Sequence, residues 1–105
     1  RDKDKRSLMG QAALEFSDVA IVTADNPRHE NLDGIIEQIV FGNEDQFIIE
    51  PDRRSAIFRA IELANKYDIV CIAGKGHEQG QIIGEQTIPF SDMDEVKLIL
   101  EELFL

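Results

Sequence analysis

The chain has 105 residues, 43% hydrophobic and 30% charged, with a formal net charge of −10. That length holds one domain around a single core, and no apolar run reaches the ~20 residues that cross a bilayer. The acidic balance disfavours a general role on nucleic acids or anionic membranes.

The opening "RDKDKR" carries four of the eleven basic residues, leaving seven basic against nineteen acidic ones in the rest. Its charge reads as a solvated terminus or as cations held near a strand end. No apolar stretch follows it of the kind a secretory signal needs. Residues 7–16 then place Leu8, Met9, Ala12, Ala13 and Phe16 on one helical face. "DVAIVTA" (18–24) is a short β-branched run suited to a buried parallel strand. Beyond "DNPRHE", Asn31 caps a helix whose apolar positions are Leu32, Ile35, Ile36, Ile39 and Val40, and Gly42 stops it.

"FIIE" (47–50) reads as a second strand. Asp52 caps the next helix, with Ala56, Ile57, Ala60, Ile61 and Ala64 inward. "DIVCIAG" (68–74) reads as a third strand that breaks into "GKGHEQG". Its Cys71, the single cysteine, is expected to be a buried core thiol, which suggests neither a disulfide nor a metal cage and fits a cytoplasmic setting. "QIIGEQTI" reads as a hairpin turning at Gly84-Glu85, since glycine opens a type II′ turn. Asp92 with Glu95 forms a capping box before a helix using Val96, Ile99, Leu100 and Leu103.

This order predicts an α/β, Rossmann-like layered fold: a mostly parallel sheet, helices on both faces and a C-terminal β-hairpin. A charged loop leading straight into a helix is unusual for such a unit. The expectation is therefore that the first strand is lacking and that residues 1–105 are a fragment of a longer enzyme.

Ligands of open α/β sheets collect at the carboxyl ends of the strands. "RDKDK", "DNPR" and "GKGHE" all fall there and are expected to converge on one pocket. Asp25, Asn26 and Pro27 suffice for a tight turn; Arg28 is the extra, a guanidinium suited to a bidentate carboxylate clamp. The glycines of "GKGHE" admit a ligand close to backbone N–H groups, and Glu78 can accept from an ammonium. An ordinary glycine-rich turn is the alternative there. Neither a Walker loop, GxGxxG nor HExxH is present, and His29 and His77 have no nucleophile partner readable from spacing. Two arginines, one carboxylate and several turn amides suit a ligand with both carboxylate and ammonium groups, such as an amino acid.

"RDKDKR", "TADNPRHE", "AGKGHEQGQIIG" and "FSDMDEV", in that order and spacing, resemble the C-terminal domain of the Mur ligases, within the branch that adds meso-diaminopimelate. The resemblance covers essentially the whole chain. It implies an ATP-dependent, amide-bond-forming ligase of peptidoglycan synthesis that extends UDP-MurNAc-L-Ala-D-Glu through an acyl phosphate. ATP and Mg2+ would be bound mainly by regions outside this chain, and the 105 residues alone would be inactive. It implies contacts with meso-diaminopimelate from Arg1, Asp25, Asn26, Pro27, Arg28, Gly74 and Glu78, no catalytic residue here, and Lys3 near the nucleotide. His29 departs from the Ser or Thr common after "DNPR". Lysine or lanthionine remains open as the amino acid. In another class, a non-catalytic receiver-like module would need a phosphoacceptor Asp after the third strand, where "GKGHE" stands. Within the ligases, "DNPR" argues against folylpolyglutamate and cyanophycin synthetases.

Overall fold

The computed structural model describes residues 5–24, 31–74, 80–83 and 85–104. In chain order these form α1 (Arg6–Phe16), β1 (Ile21–Val22), α2 (Leu32–Val40), a 3₁₀ turn (Glu44–Gln46), β2 (Ile48–Ile49), α3 (Arg53–Leu63), β3 (Gly80–Ile83), β4 (Gln86–Pro89) and α4 (Asp92–Phe104). The α/β class expected from the sequence is what folds.

Local chemistry sets most helix starts. The Asn31 side chain accepts from Gly34 N at 3.3 Å and caps α2, which ends before Gly42 at φ 82°. Asp52 caps α3 through Ser55 N at 3.0 Å and Ser55 Oγ at 2.7 Å. The hydroxyl bond first, and the amide bond after it, hold the Asp52 carboxyl below its ordinary range. The start of α4 is a correction. Ser91, not Asp92, is the cap, its Oγ accepting from Asp94 N at 3.4 Å, while Asp92 is buried and its carboxylate is used elsewhere.

β1 and β2 pair in parallel, Ile21 beside Ile48 and Val22 beside Ile49. Bonds from Ile48 N to Ala20 O (3.0 Å) and Glu50 N to Val22 O (2.9 Å) extend the ladder beyond the strands themselves. β3 and β4 form the foreseen antiparallel hairpin, with Ile83 opposite Gln86; Gly84, on which the turn type rests, lies outside the described residues. Val22, Ile36, Val40 and Phe47 form a core cluster with Ala13 and Leu14 against it. α1 packs on α2, α3 packs on α4, and α3 also reaches β1. Ile99 of α4 is fully buried.

Three further expectations are corrected. Residues 68–74 form no strand, and Ile69 is 94% exposed. A β-strand requires a neighbouring strand to take its amides and carbonyls in register, and no described strand lies paired beside this run. The parallel sheet there is consequently two-stranded. A groove of about 910 Å³ instead separates residues 20–23 from residues 71–74, with Gly10, Ala13, Ala56 and Ile57 among its lining. Cys71 borders this groove and is exposed, not a core thiol.

The third correction concerns α1. Leu8, Met9 and Phe16 are exposed, and the buried positions are Arg6 and Gly10. Arg6, counted with the solvated terminus from sequence, donates from Nη1 to Gln38 Oε1 at 2.8 Å. Gly10 is the reason the helices approach as they do. A Cβ there would lie 2.0 Å from the Ile39 carbonyl oxygen, a backbone atom that cannot swing aside. Gly10→Ala is therefore expected to force α1 and α2 apart and remove about 1–3 kcal/mol of stability, read as a lower urea midpoint. An unchanged midpoint would show that the two helices are free to slide.

Candidate functional site

Arg53 opens α3 on the same face as Ala56 and Ile57, the three buried positions of that helix. Its guanidinium is consumed by four hydrogen bonds. Nε donates to Asp92 Oδ1 and Nη2 to Asp92 Oδ2, both at 2.7 Å, a fork-to-fork pair whose side chains are 3% and 8% exposed. Nη1 donates to Ala24 O at 2.7 Å, and Nη2 also donates to Ala73 O at 3.1 Å.

The two carbonyls identify the place. Ala24 is the last residue before "DNPR", and Ala73 is the last before "GKGHE". One planar group thus brings together the ends of two described segments, each directly before one of the sequence motifs, and Asp92 ties that junction to the start of α4. Gly74 follows at φ 107°, a conformation that side-chain-bearing residues rarely adopt, so the chain can turn sharply away from the anchored carbonyl. Of the residues assigned to ligand binding from sequence, Gly74 is the one described. Arg1, Lys3, Asp25, Asn26, Pro27, Arg28 and Glu78 lie outside the described residues.

Sequence reading missed Arg53 and misassigned Asp92. The signal was present: Arg53 stands three and four residues before Ala56 and Ile57, a cation on an apolar helical stripe. Nearby Arg54 is an ordinary contrast. Its Nε lies 2.8 Å from Glu95 Oε2 and its Nη2 2.7 Å from Glu102 Oε1, on an exposed surface between α3 and α4. The Glu102 bond is the main cause of the upward shift of the Arg54 guanidinium.

Among the described residues no group of three or more His, Cys, Asp and Glu side chains is placed to hold a cation, and Asp92 is already occupied by Arg53. No helix among the described residues is long and apolar enough to cross a membrane.

The family model described as "Mur ligase, glutamate ligase domain" matches residues 1–76. The chain belongs to the Mur ligase family. It is 45% identical over 105 residues to UDP-N-acetylmuramoyl-L-alanyl-D-glutamate–2,6-diaminopimelate ligase 1 of Clostridium acetobutylicum, an alignment covering 99% of this chain and 22% of that protein. It is 52% identical over 102 residues to the 2,6-diaminopimelate ligase of that name from Aquifex aeolicus, covering 95% of this chain and 21% of the relative. A solved structure of a ligase of the same name superposes with a TM-score of 0.89 at 40% identity, over 97% of this chain and 22% of that one. The chain thus spans about a fifth of the length of the relatives it matches. Membership of the Mur ligases displaces the receiver-like alternative, and the fold class expected from the motifs agrees with the structural neighbour.

Proposed function

We propose that this chain is the amino-acid-recognition domain of an ATP-dependent ligase that joins meso-diaminopimelate to UDP-MurNAc-L-Ala-D-Glu during peptidoglycan synthesis. The observation that carries the reading is the meeting of Ala24 and Ala73 on one guanidinium, in a chain aligned almost end to end with ligases named for 2,6-diaminopimelate. Covalent geometry limits how far the loops can stray. Four residues extend no more than roughly 14 Å, so Arg28 and Glu78 stay within that reach of Ala24 and Gly74.

In this reading Arg28 and Arg1 pair with carboxylates of the amino acid, and Glu78 accepts from an ammonium. Asp25, Asn26 and Pro27 shape the turn and add polar contacts, with Gly74 bounding the opposite side. Lys3 lies toward the nucleotide. The bond formed is an amide. An acyl phosphate on the D-Glu side chain is attacked by the amine of the incoming amino acid, and inorganic phosphate leaves with the C–O electron pair. This chain's part is to bind and orient the amine; ATP and Mg2+ belong to the remaining four-fifths of the protein, where the metal would offset phosphate charge. A cytoplasmic location follows from substrates of that kind. The groove beside residues 71–74 is assigned to a strand upstream of Arg1, which would complete the sheet.

The test is an assay of the full-length protein with ATP, Mg2+, UDP-MurNAc-L-Ala-D-Glu and one of three amino acids. Amide product with meso-diaminopimelate, and little with lysine or lanthionine, is the expected result, with no phosphate release by residues 1–105 alone. Preference for lysine or lanthionine overturns the assignment of substrate, and turnover by the 105-residue chain overturns the assignment of domain.

A further inference from the structure

We infer that the Arg53–Asp92 pair is a positioning device for amino-acid binding: it sets the separation of Ala24 and Ala73, the residues directly before "DNPR" and "GKGHE", without touching the substrate itself. The inference rests on the ligase reading above and deepens it.

A buried ion pair is often no more stabilising than well-packed apolar residues of similar volume, so core stability alone gives little reason for charge at the foot of α3. The two carbonyl bonds give a specific reason. Ala24 lies beyond the β1–β2 ladder and Ala73 lies in a run that pairs with no strand among the described residues. Among the described residues no strand takes either carbonyl, whereas both accept from Arg53, so the guanidinium links the two segment ends directly, whatever else lies beside them.

Rigidity follows from the shape of the group. The guanidinium is planar, and both Asp92 oxygens lock its Nε and Nη2 edge at 2.7 Å. Its orientation is therefore fixed before Nη1 and Nη2 reach the carbonyls. Asp92 is itself rooted, being the first residue of α4 directly after the Ser91 cap. The mechanical chain runs from α4 through Asp92 and Arg53 to Ala24 and Ala73, and one residue further to Asp25 and Gly74. A lysine at position 53 keeps the charge but has no second edge, so it cannot hold Asp92 and both carbonyls in one plane. Displacements of about 1 Å in a substrate-positioning shell are enough to lose much of an enzyme's effectiveness.

The experiment compares Arg53→Lys and Asp92→Asn in the full-length ligase, measuring KM for the amino acid, for ATP and for UDP-MurNAc-L-Ala-D-Glu, with kcat and Tm. Ile99→Val, in the buried core of α4, is the control for lowered stability. A rise of tenfold or more in the amino-acid KM, with the other two KM values within twofold and Ile99→Val unaffected, is the expected result. Asp92→Asn retains one acceptor oxygen and keeps the test open if Arg53→Lys does not fold. An unchanged amino-acid KM in the folded variants, or equal rises for all three substrates that track Tm and recur in Ile99→Val, overturns the inference. If the wild type prefers lysine, the diaminopimelate assignment falls while the positioning role is read from the KM for lysine. A wild type that accepts no amino acid removes both.

Discussion

Asp92→Ala is expected to lower the folding stability of this chain by about 3 kcal/mol or more, because it leaves a buried guanidinium without its counter-ion. The side chains involved are 3% and 8% exposed, so water cannot take over the role of the carboxylate. Two of the four hydrogen bonds of Arg53 survive the substitution, those to Ala24 and Ala73. They hold the effect near the lower end of the roughly 3–5 kcal/mol found when one partner of such a pair is deleted. A loss of that size is a large share of the ~5–15 kcal/mol that keeps a small domain folded.

The double replacement Arg53→Met with Asp92→Leu removes both charges together and is expected to recover most of the loss. It should still fall about 1–3 kcal/mol short of wild type, since the Ala24 carbonyl, in a residue 4% exposed, is left without a donor. By contrast Glu102→Ala deletes an ion pair on the open surface and is expected to leave the midpoint where it was. Urea titrations with unchanged slope read all three. Equal midpoints for Asp92→Ala and Glu102→Ala would mean that the buried pair is solvated in solution and holds nothing.

The same pair shows where sequence reading reaches its limit. Asn31 and Asp52 were legible as caps because capping is local: a side chain, an amide three residues on, and no need for the rest of the fold. The helices and the β3–β4 hairpin were legible for the same reason. Asp92 satisfied the local pattern of a capping box equally well, but a partner 39 residues away took its carboxylate, and Ser91 was left to cap the helix. Residues 68–74 carry strong strand propensity, yet propensity says nothing of whether a neighbour is there to pair with. On α1, Leu8, Met9 and Phe16 outweighed Gly10 in any count of apolar residues, although the close approach to Ile39 required the residue with no side chain. The loop motifs were legible as marks of the family because their residue types, order and spacing are chemically unusual. Their anchor was not, because a motif is read along the chain and Arg53 acts across it.

Under the proposed function, the largest effect on specificity is expected from Arg28→Ala in the full-length protein. Diaminopimelate differs from lysine by one carboxylate at its far end, and an ionised carboxylate cannot leave water cheaply without a partner. In the proposed reading, a charge-assisted, two-pronged pair with Arg28 would offset that penalty. Lysine, which lacks that carboxylate, would leave the guanidinium without its partner. Sites built around such a group reject analogues lacking it by as much as ~10⁴.

Alanine removes both sides of this discrimination. The KM for diaminopimelate should rise between roughly thirtyfold and a few thousandfold, the equivalent of the 2–5 kcal/mol seen when one partner of a buried charge pair is truncated. The KM for lysine should fall or stay level, so the preference narrows from the diaminopimelate side. In that reading the carboxylate is remote from the bond being formed and would be bound alike before and during reaction, so kcat should change much less than KM. Arg28→Lys is the sharper companion, since it restores charge without the second prong and should recover only part of the affinity. A kcat that collapses while KM holds would place Arg28 at the reacting amine, and unchanged kinetics for both amino acids would remove it from the substrate altogether.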